Sequence, residues 1–170
     1  IYVNTTYPFW IIEGKRPNPP EIPNAYNPVG SYKRNFTISE KWDGRQIMLH
    51  LGAVKSAFYI WVNGEKVGYS EGSKTPAEFD LTEYVKTGEN TLALEVYRWS
   101  TRSYLEAQDF WRISGIERDV FIYSTPKVRI RDFFAKADLD AEYRNGAFLL
   151  DVDLQNHTER LRAGNYEVEY

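Results

Sequence analysis

Between Arg98 and Tyr123 the sequence RWSTRSYLEAQDFWRISGIERDVFIY sets Glu106, Gln108, Asp109, Arg112, Arg118 and Asp119 among aromatic residues that include Trp99 and Trp111. Carboxylates in such a setting point to two chemistries. A pair held roughly 5 to 9.5 Å apart can work as acid and base, or acid and nucleophile, on a glycosidic bond. A single carboxylate beside aromatic rings can accept hydrogen bonds from ligand hydroxyls, or bind a hard cation through oxygen. Glu106 and Asp109 are the pair that fits the first chemistry. Glu106 has a competing reading, an ion pair with Arg98, Arg102, Arg112 or Arg118 that holds the loop. Asp109 lies between Gln108 and Phe110-Trp111. For it the second chemistry and a structural role stand level.

Other chemistries find little support. The chain has no cysteine, which excludes disulfides, thiolate metal sites and cysteine nucleophiles. Its two histidines, His50 and His157, are far apart in sequence and read as a strand residue and a solvated turn residue. There is no glycine-rich phosphate loop. A net charge of -3 with scattered Lys and Arg argues against nucleic acid, which requires a basic footprint. No apolar run approaches the ~20 residues of a membrane span. The sequons at Asn4, Asn35 and Asn156 are short matches and are not read as glycosylated.

The elements that position the central stretch are strands. TLALEVY (91–97) leads into it and DVFIY (119–123) leads out, so a long polar-aromatic loop joins two strands. Such loops present side chains without breaking a sheet, and long ordered ones are usually functional. Upstream, SYKRNFTI (31–38) alternates, with Tyr32, Arg34, Phe36 and Ile38 on one face. QIMLHL (46–51) is a further strand. AFYIWV (57–62) is nearly all apolar and predicts a strand buried on both faces. Asn63-Gly64 then predicts a tight hairpin, because a type I′ turn needs positive φ at both positions. Asp80 predicts a cap for one helical turn at Thr82–Val85. Residues 86–90 read as a turn, and no helix longer than one turn is expected. Pro8, Pro17, Pro19, Pro20 and Pro23 make residues 1–27 an extended arm, anchored by TYPFW (6–10).

Pro126 breaks the strand pattern at a boundary between a first domain and a second. The second shows strands at Val128–Phe134, Ala147–Leu154 and Tyr166–Tyr170, with a turn at Asn145-Gly146. About three strands fall short of the roughly seven of a stable sandwich. The chain begins without Met and ends on a strand-like segment, so it reads as a fragment of a longer protein.

Three segments carry a resemblance to a known family: NPVGSY (27–32), SAFYIWVNGEKVGYSEGSKTPAEFDLTEYVKTGENTL (56–92) and above all RWSTRSYLEAQDFWRISGIERDV (98–120). The chain resembles the LacZ-type β-galactosidases of glycoside hydrolase family 2 over nearly its whole length, most strongly from Asn27 to Val120. The resemblance implies an all-β fold: a jelly-roll, galactose-binding-like sandwich with its extended N-terminal arm at 1–124, then the first strands of an immunoglobulin-like β-sandwich at 125–170. A TIM barrel with two catalytic glutamates would follow outside this chain. It implies that Asp109, in the D-F-W segment, reaches the active site, binds a sodium ion and lies near the galactosyl hydroxyls. It also implies that Asn4, in YVNTTYP, lines the galactosyl pocket. Thr5 departs mildly from the small apolar residue usual in relatives, and Ala107 replaces a common acidic residue. Magnesium ligands and both catalytic glutamates would lie in the barrel.

The implied function is retaining hydrolysis of terminal non-reducing β-galactosyl residues by the parent protein. The fragment alone is expected to be inactive. The implied partners are a β-galactoside, the rest of the parent chain and further copies in a homo-oligomer, with no nucleic acid and no membrane. Two alternatives remain at this stage. One is another family 2 activity, β-glucuronidase or β-mannosidase. The other is a free carbohydrate-binding module that stacks sugars on Trp99, Trp111 and the Tyr-rich loops.

Overall fold

The computed structural model describes residues 18–22, 26–106, 111–158 and 166–169. The described chain is almost entirely β. Its strands are β1 (Val29–Ile38), β2 (Gln46–Leu51), β3 (Val54–Lys55), β4 (Ala57–Val62), β5 (Glu65–Glu71), β6 (Ala77–Asp80), β7 (Gly88–Tyr97), β8 (Gly115–Ile116), β9 (Val120–Thr125), β10 (Val128–Leu139) and β11 (Gly146–Asn156). One four-residue helix, α1 (Ser103–Glu106), and a 3₁₀ turn at Glu40–Trp42 interrupt them. The chain divides into two compact units, Ile1–Asp43 with Ile47–Ser124, and Gly44–Gln46 with Thr125–Tyr170.

In the first unit, antiparallel strands run in the order β1-β7-β4-β5, and a second sheet runs β6-β2-β9. The small β3-β8 pair joins Val54 to Ile116 and Lys55 to Gly115. Period-two alternation sets the core. Along β7, Leu92, Leu94 and Val96 are buried while Thr91, Ala93, Glu95 and Tyr97 are only partly covered. Leu49 and Leu51 of β2 join Phe58, Ile60 and Val62 of β4 and Leu81 in one apolar cluster. Both sheets therefore contribute to a single sandwich interior. Between β1 and β9 that interior opens into an apolar cavity of about 520 Å³ lined by Phe36, Ile38, Leu94, Val120 and Ile122.

β4 differs from the expectation of a strand buried on both faces. Phe58, Ile60 and Val62 point inward, but Tyr59 and Trp61 are half-buried on the outer face. There Tyr59 contacts Tyr69, Tyr97 and Trp61, and Lys66 sits 4.0 Å over its ring. An aromatic outer face reads as apolar in sequence although it faces partly to solvent.

The Asn63-Gly64 hairpin forms as expected, with φ of 52° and 88°. Asn63 also ties the turn to its neighbours. Its amide donates to Tyr84 O at 2.9 Å and to Asn90 Oδ1 at 2.8 Å, and its oxygen accepts Thr91 N–H at 3.0 Å. Buried Asn90 uses all four of its hydrogen-bonding sites, with Lys86 N, Lys86 O, Gly88 O and Asn63. This satisfies the polar group and avoids the cost of a buried orphan, about 1 to 3 kcal/mol. Asp80 caps the turn that follows through Thr82 N–H at 2.9 Å, as its sequence position suggests. β7 begins at Gly88, inside the segment read as a turn.

The second unit is a long antiparallel hairpin, β10 paired with β11. Its turn is not at Asn145-Gly146. Gly146 already belongs to β11, and Asp140 closes the loop by accepting Arg144 N–H at 2.8 Å and Asn145 N–H at 3.1 Å. Positive φ falls on Tyr143. Residues 166–169, read as part of a strand, lie outside any strand; their alternation has no ladder partner among the described residues.

Candidate functional site

The loop from Arg98 to Asp119 leaves the centre of one sheet and returns to the edge of the other. Its departure point is clamped. The Asn27 side chain donates to Trp99 O at 3.1 Å and accepts Trp99 N–H at 2.9 Å. Arg98 N–H donates to Pro28 O at 3.0 Å, which extends the β1-β7 ladder past Val29↔Tyr97. Trp99 is 2% exposed, so it is not the sugar-stacking surface envisaged for a free binding module. Trp111 is 62% exposed and remains a candidate for contact.

The next turn is held by Glu71 at the end of β5. Its carboxylate accepts Thr101 Oγ1–H at 2.7 Å and Arg102 N–H at 2.8 Å, and Tyr69 donates to its other oxygen at 3.1 Å. Burial pulls the Glu71 carboxyl upward, but hydrogen bonds from Arg102, Thr101, Ser100 and Tyr69 outweigh it and hold it below its ordinary value. The same contact, with burial first, pushes Tyr69 up to about 12. Ser100 and Ser103 exchange hydrogen bonds, N–H to Oγ at 2.9 Å and N–H to O at 3.0 Å, and so start α1. Tyr104 donates to Glu21 O at 2.5 Å, which places that residue of the proline-rich arm beside the loop.

Glu106 closes α1. Its Oε1 accepts Ser73 N–H at 3.3 Å, so this carboxylate supports the loop through backbone and not through an arginine. The other end of the loop is pinned from below. Lys55, 3% exposed, donates from Nζ to Trp111 O at 3.0 Å. Lys74 forms an ion pair with Glu117. Gly115 takes φ of 120°, a conformation that L side chains rarely adopt, and pairs with Lys55. Glu117 N–H donates to Ala53 O at 3.0 Å and Gly52 N–H to Asp119 O at 2.9 Å, so the return strand is zipped along residues 52–55. Beside the loop a cavity of about 360 Å³ is lined by Val29, Gly30, Arg98, Arg112, Ser114 and Gly115.

Asn4 and Asp109, the residues expected to touch sugar and sodium, lie outside the described residues. Among the described residues no group of three or more His, Cys, Asp and Glu could hold a metal ion. His50 is structural in its surroundings: its ring stacks on Phe121 at 4.6 Å and its Nδ1 lies 3.0 Å from Glu78. Asn27, Lys55 and Glu71, which carry much of the loop's fixation, stand out little in the residue pattern. Lys55 had one legible signal, a lone charge within an otherwise uncharged run, LGAVKSAFYIWV.

A polar-aromatic loop fixed at both ends on a β-sandwich can be compared with known proteins. Residues 1–126 match the family described as glycosyl hydrolases family 2, sugar binding domain. The chain belongs to this family. It is 52% identical over 158 residues to a β-galactosidase of Priestia megaterium, covering 93% of this chain and 15% of that protein. It is 45% identical over 158 residues to a β-galactosidase of Clostridium acetobutylicum, covering 93% of this chain and 17% of that protein. Among solved structures, a β-glucuronidase of an uncultured Clostridium sp. is similar with a TM-score of 0.65 and 28% identity, over 74% of this chain and 24% of that one. The family 2 chain thus spans about one sixth of the curated relatives it matches.

Proposed function

We propose that this family 2 domain forms part of a retaining β-galactosidase that hydrolyses terminal non-reducing β-D-galactosyl residues. The observation that carries this reading is the 52% identity over 93% of the chain to a protein named β-galactosidase. Hydrolysis would proceed by double displacement on two carboxylates about 5 to 5.5 Å apart. Both would come from the parent protein beyond this chain, together with the magnesium ligands. The chain's share is to present the β7–β9 loop to the sugar. In this reading Asn4 and Asp109 line the galactosyl pocket, and Asp109 gives one oxygen to a sodium ion. Their assignment rests on the likeness of the YVNTTYP and D-F-W segments. The parent assembles as a homo-oligomer.

β-Glucuronidase is the second reading, favoured by the structural neighbour at 28% identity. The test uses the full-length parent on nitrophenyl β-galactoside and β-glucuronide, with and without sodium, in wild type and Asp109→Asn. Galactoside hydrolysis that is stimulated by sodium and falls by on the order of a hundredfold or more in the variant is expected, as for loss of charge-assisted contacts in a site. Preference for the glucuronide would overturn the galactosidase reading. Full activity in Asp109→Asn would remove Asp109 from the site.

A further inference from the structure

Lys55 is the charged residue that the fold buries most deeply among those described, and it sits directly beneath the loop. Lysine is almost never fully buried without a partner, because removing an ammonium from water costs several kcal/mol, an order-of-magnitude figure for a single ion. Its backbone is fixed on both sides. Lys55 pairs with Gly115 in the β3-β8 ladder, and Ser56 N–H and Oγ both donate to Tyr97 O, at 3.0 and 3.1 Å. Its side chain then reaches Trp111 O at 3.0 Å. One residue therefore holds the segment 111–115 twice, by backbone at 115 and by ammonium at 111.

The charges around Lys55 come from both ends of the loop. Glu106 from α1 and Glu117 from the return strand face it, as do Lys74 and Arg112. Glu106 Oε2 and Glu117 Oε1 are buried and make no hydrogen bond among the described residues. The Lys55 ammonium offsets part of their charge. Burial lowers the ammonium's pKa and Lys74 adds to this, while Glu117 and Glu106 oppose the fall. An apolar side chain in its place would leave those carboxylates and the Trp111 carbonyl without their cation, so removing Lys55 alone also carries a stability cost.

We propose that Lys55 is a positioning residue for the substrate-facing loop, holding the Trp111 carbonyl and with it the segment 111–115. This rests on the reading of the loop as part of a β-galactosidase pocket. Lys55 touches no substrate; it acts through Trp111.

The test compares wild type, Lys55→Met and Lys55→Arg in the full-length parent by amide hydrogen exchange, thermal melting and kinetics on nitrophenyl β-galactoside. Loss of a charge-assisted hydrogen bond is expected to quicken exchange across 111–115 by roughly ten- to a hundredfold in the Met variant. Exchange in β2, β4 and β7 should quicken far less than at 111–115, with only a modest fall in melting temperature from the carboxylates left uncompensated. KM for the galactoside should rise more than kcat falls, and arginine should restore protection in part. Unchanged exchange at 111–115 would overturn the proposal. So would exchange quickened as much throughout the sandwich as at 111–115, or loosening of the loop with KM and kcat unaltered. If Lys55→Met does not fold, Lys55→Gln, which keeps an N–H donor, takes its place; failure of both to fold overturns the proposal, because Lys55 would then serve the fold itself. A wild-type parent inactive on galactosides would sink the galactosidase reading, whereas the exchange data would still decide whether Lys55 holds the loop.

Discussion

On β2 and β4, Leu49, Leu51, Ile60 and Val62 have no exposed surface. On β10 and β11, Phe133, Phe134, Phe148 and Leu149 are each more than half exposed. The strands in the two regions are built from similar residues, and both regions form regular antiparallel ladders. What separates them is a second layer. The first unit closes one sheet over another, so the inward residues of β2 and β4 are removed from water. The second is a two-stranded hairpin whose large apolar side chains stay exposed. A two-stranded hairpin alone is marginal in water, and its consecutive apolar residues Phe133-Phe134 and Phe148-Leu149 fall on opposite faces of the ribbon. Hydrogen-bonded pairing is thus a property of two strands, while stability belongs to layers.

The contrast can be broken first at its strongest point. Leu49→Ala should cost about 2 to 5 kcal/mol by urea unfolding of the 170-residue chain, because the site is fully enclosed and leaves a cavity. A loss under about 1 kcal/mol would mean that the sandwich around β2 collapses freely and is not close-packed.

A smaller effect should come from the loop that the sandwich supports. Glu71 has a folded-state carboxyl below its ordinary value, so its contribution is full above the ordinary glutamate range and disappears as pH falls through the lower folded value. Protection of amides 101–106 should therefore exceed that in Glu71→Gln at neutral pH. The two should converge on acidification. A constant difference down to acid pH would show that the Glu71 charge does not anchor the loop.

The smallest effect is expected in the hairpin. Phe134→Ser should change the stability of the chain by no more than about 0.5 kcal/mol, since the side chain is 58% exposed. A clearly larger loss would show that something already covers this face, and the contrast with Leu49 would shrink.

Much of the fold is legible in the residues. QIMLHL is β2 from end to end, and AFYIWV is β4. Asn63-Gly64 turns where the two positive φ values require it, and Asp80 caps the turn after it. These are local features, fixed by alternation and by backbone preferences over a few residues. The turn does not sit at Asn145-Gly146 because the Asp140 carboxylate accepts the backbone N–H groups of Arg144 and Asn145 and closes a longer loop. The candidate site was legible as a stretch but not as a set of contacts. Glu106 gave two readings in sequence, and neither was the hydrogen bond to Ser73 N–H that it makes. Trp99 and Trp111 are chemically alike in sequence, yet one is enclosed and the other is open.

By itself the sequence determined the period-two strands, the tight hairpin, the all-β class and the family. Each depends on neighbours within a few positions or on a string of residues read whole. Tertiary structure decided which aromatic faces solvent, which carboxylate holds backbone, and that Lys55 is buried beneath the loop. Those outcomes depend on the strand order β1-β7-β4-β5 and on the β3-β8 pairing, which bring Asn27 to Trp99 and Lys55 to Trp111 across 72 and 56 residues. No local preference spans such a distance. Only the closing of one layer on another sets those pairs within hydrogen-bonding reach.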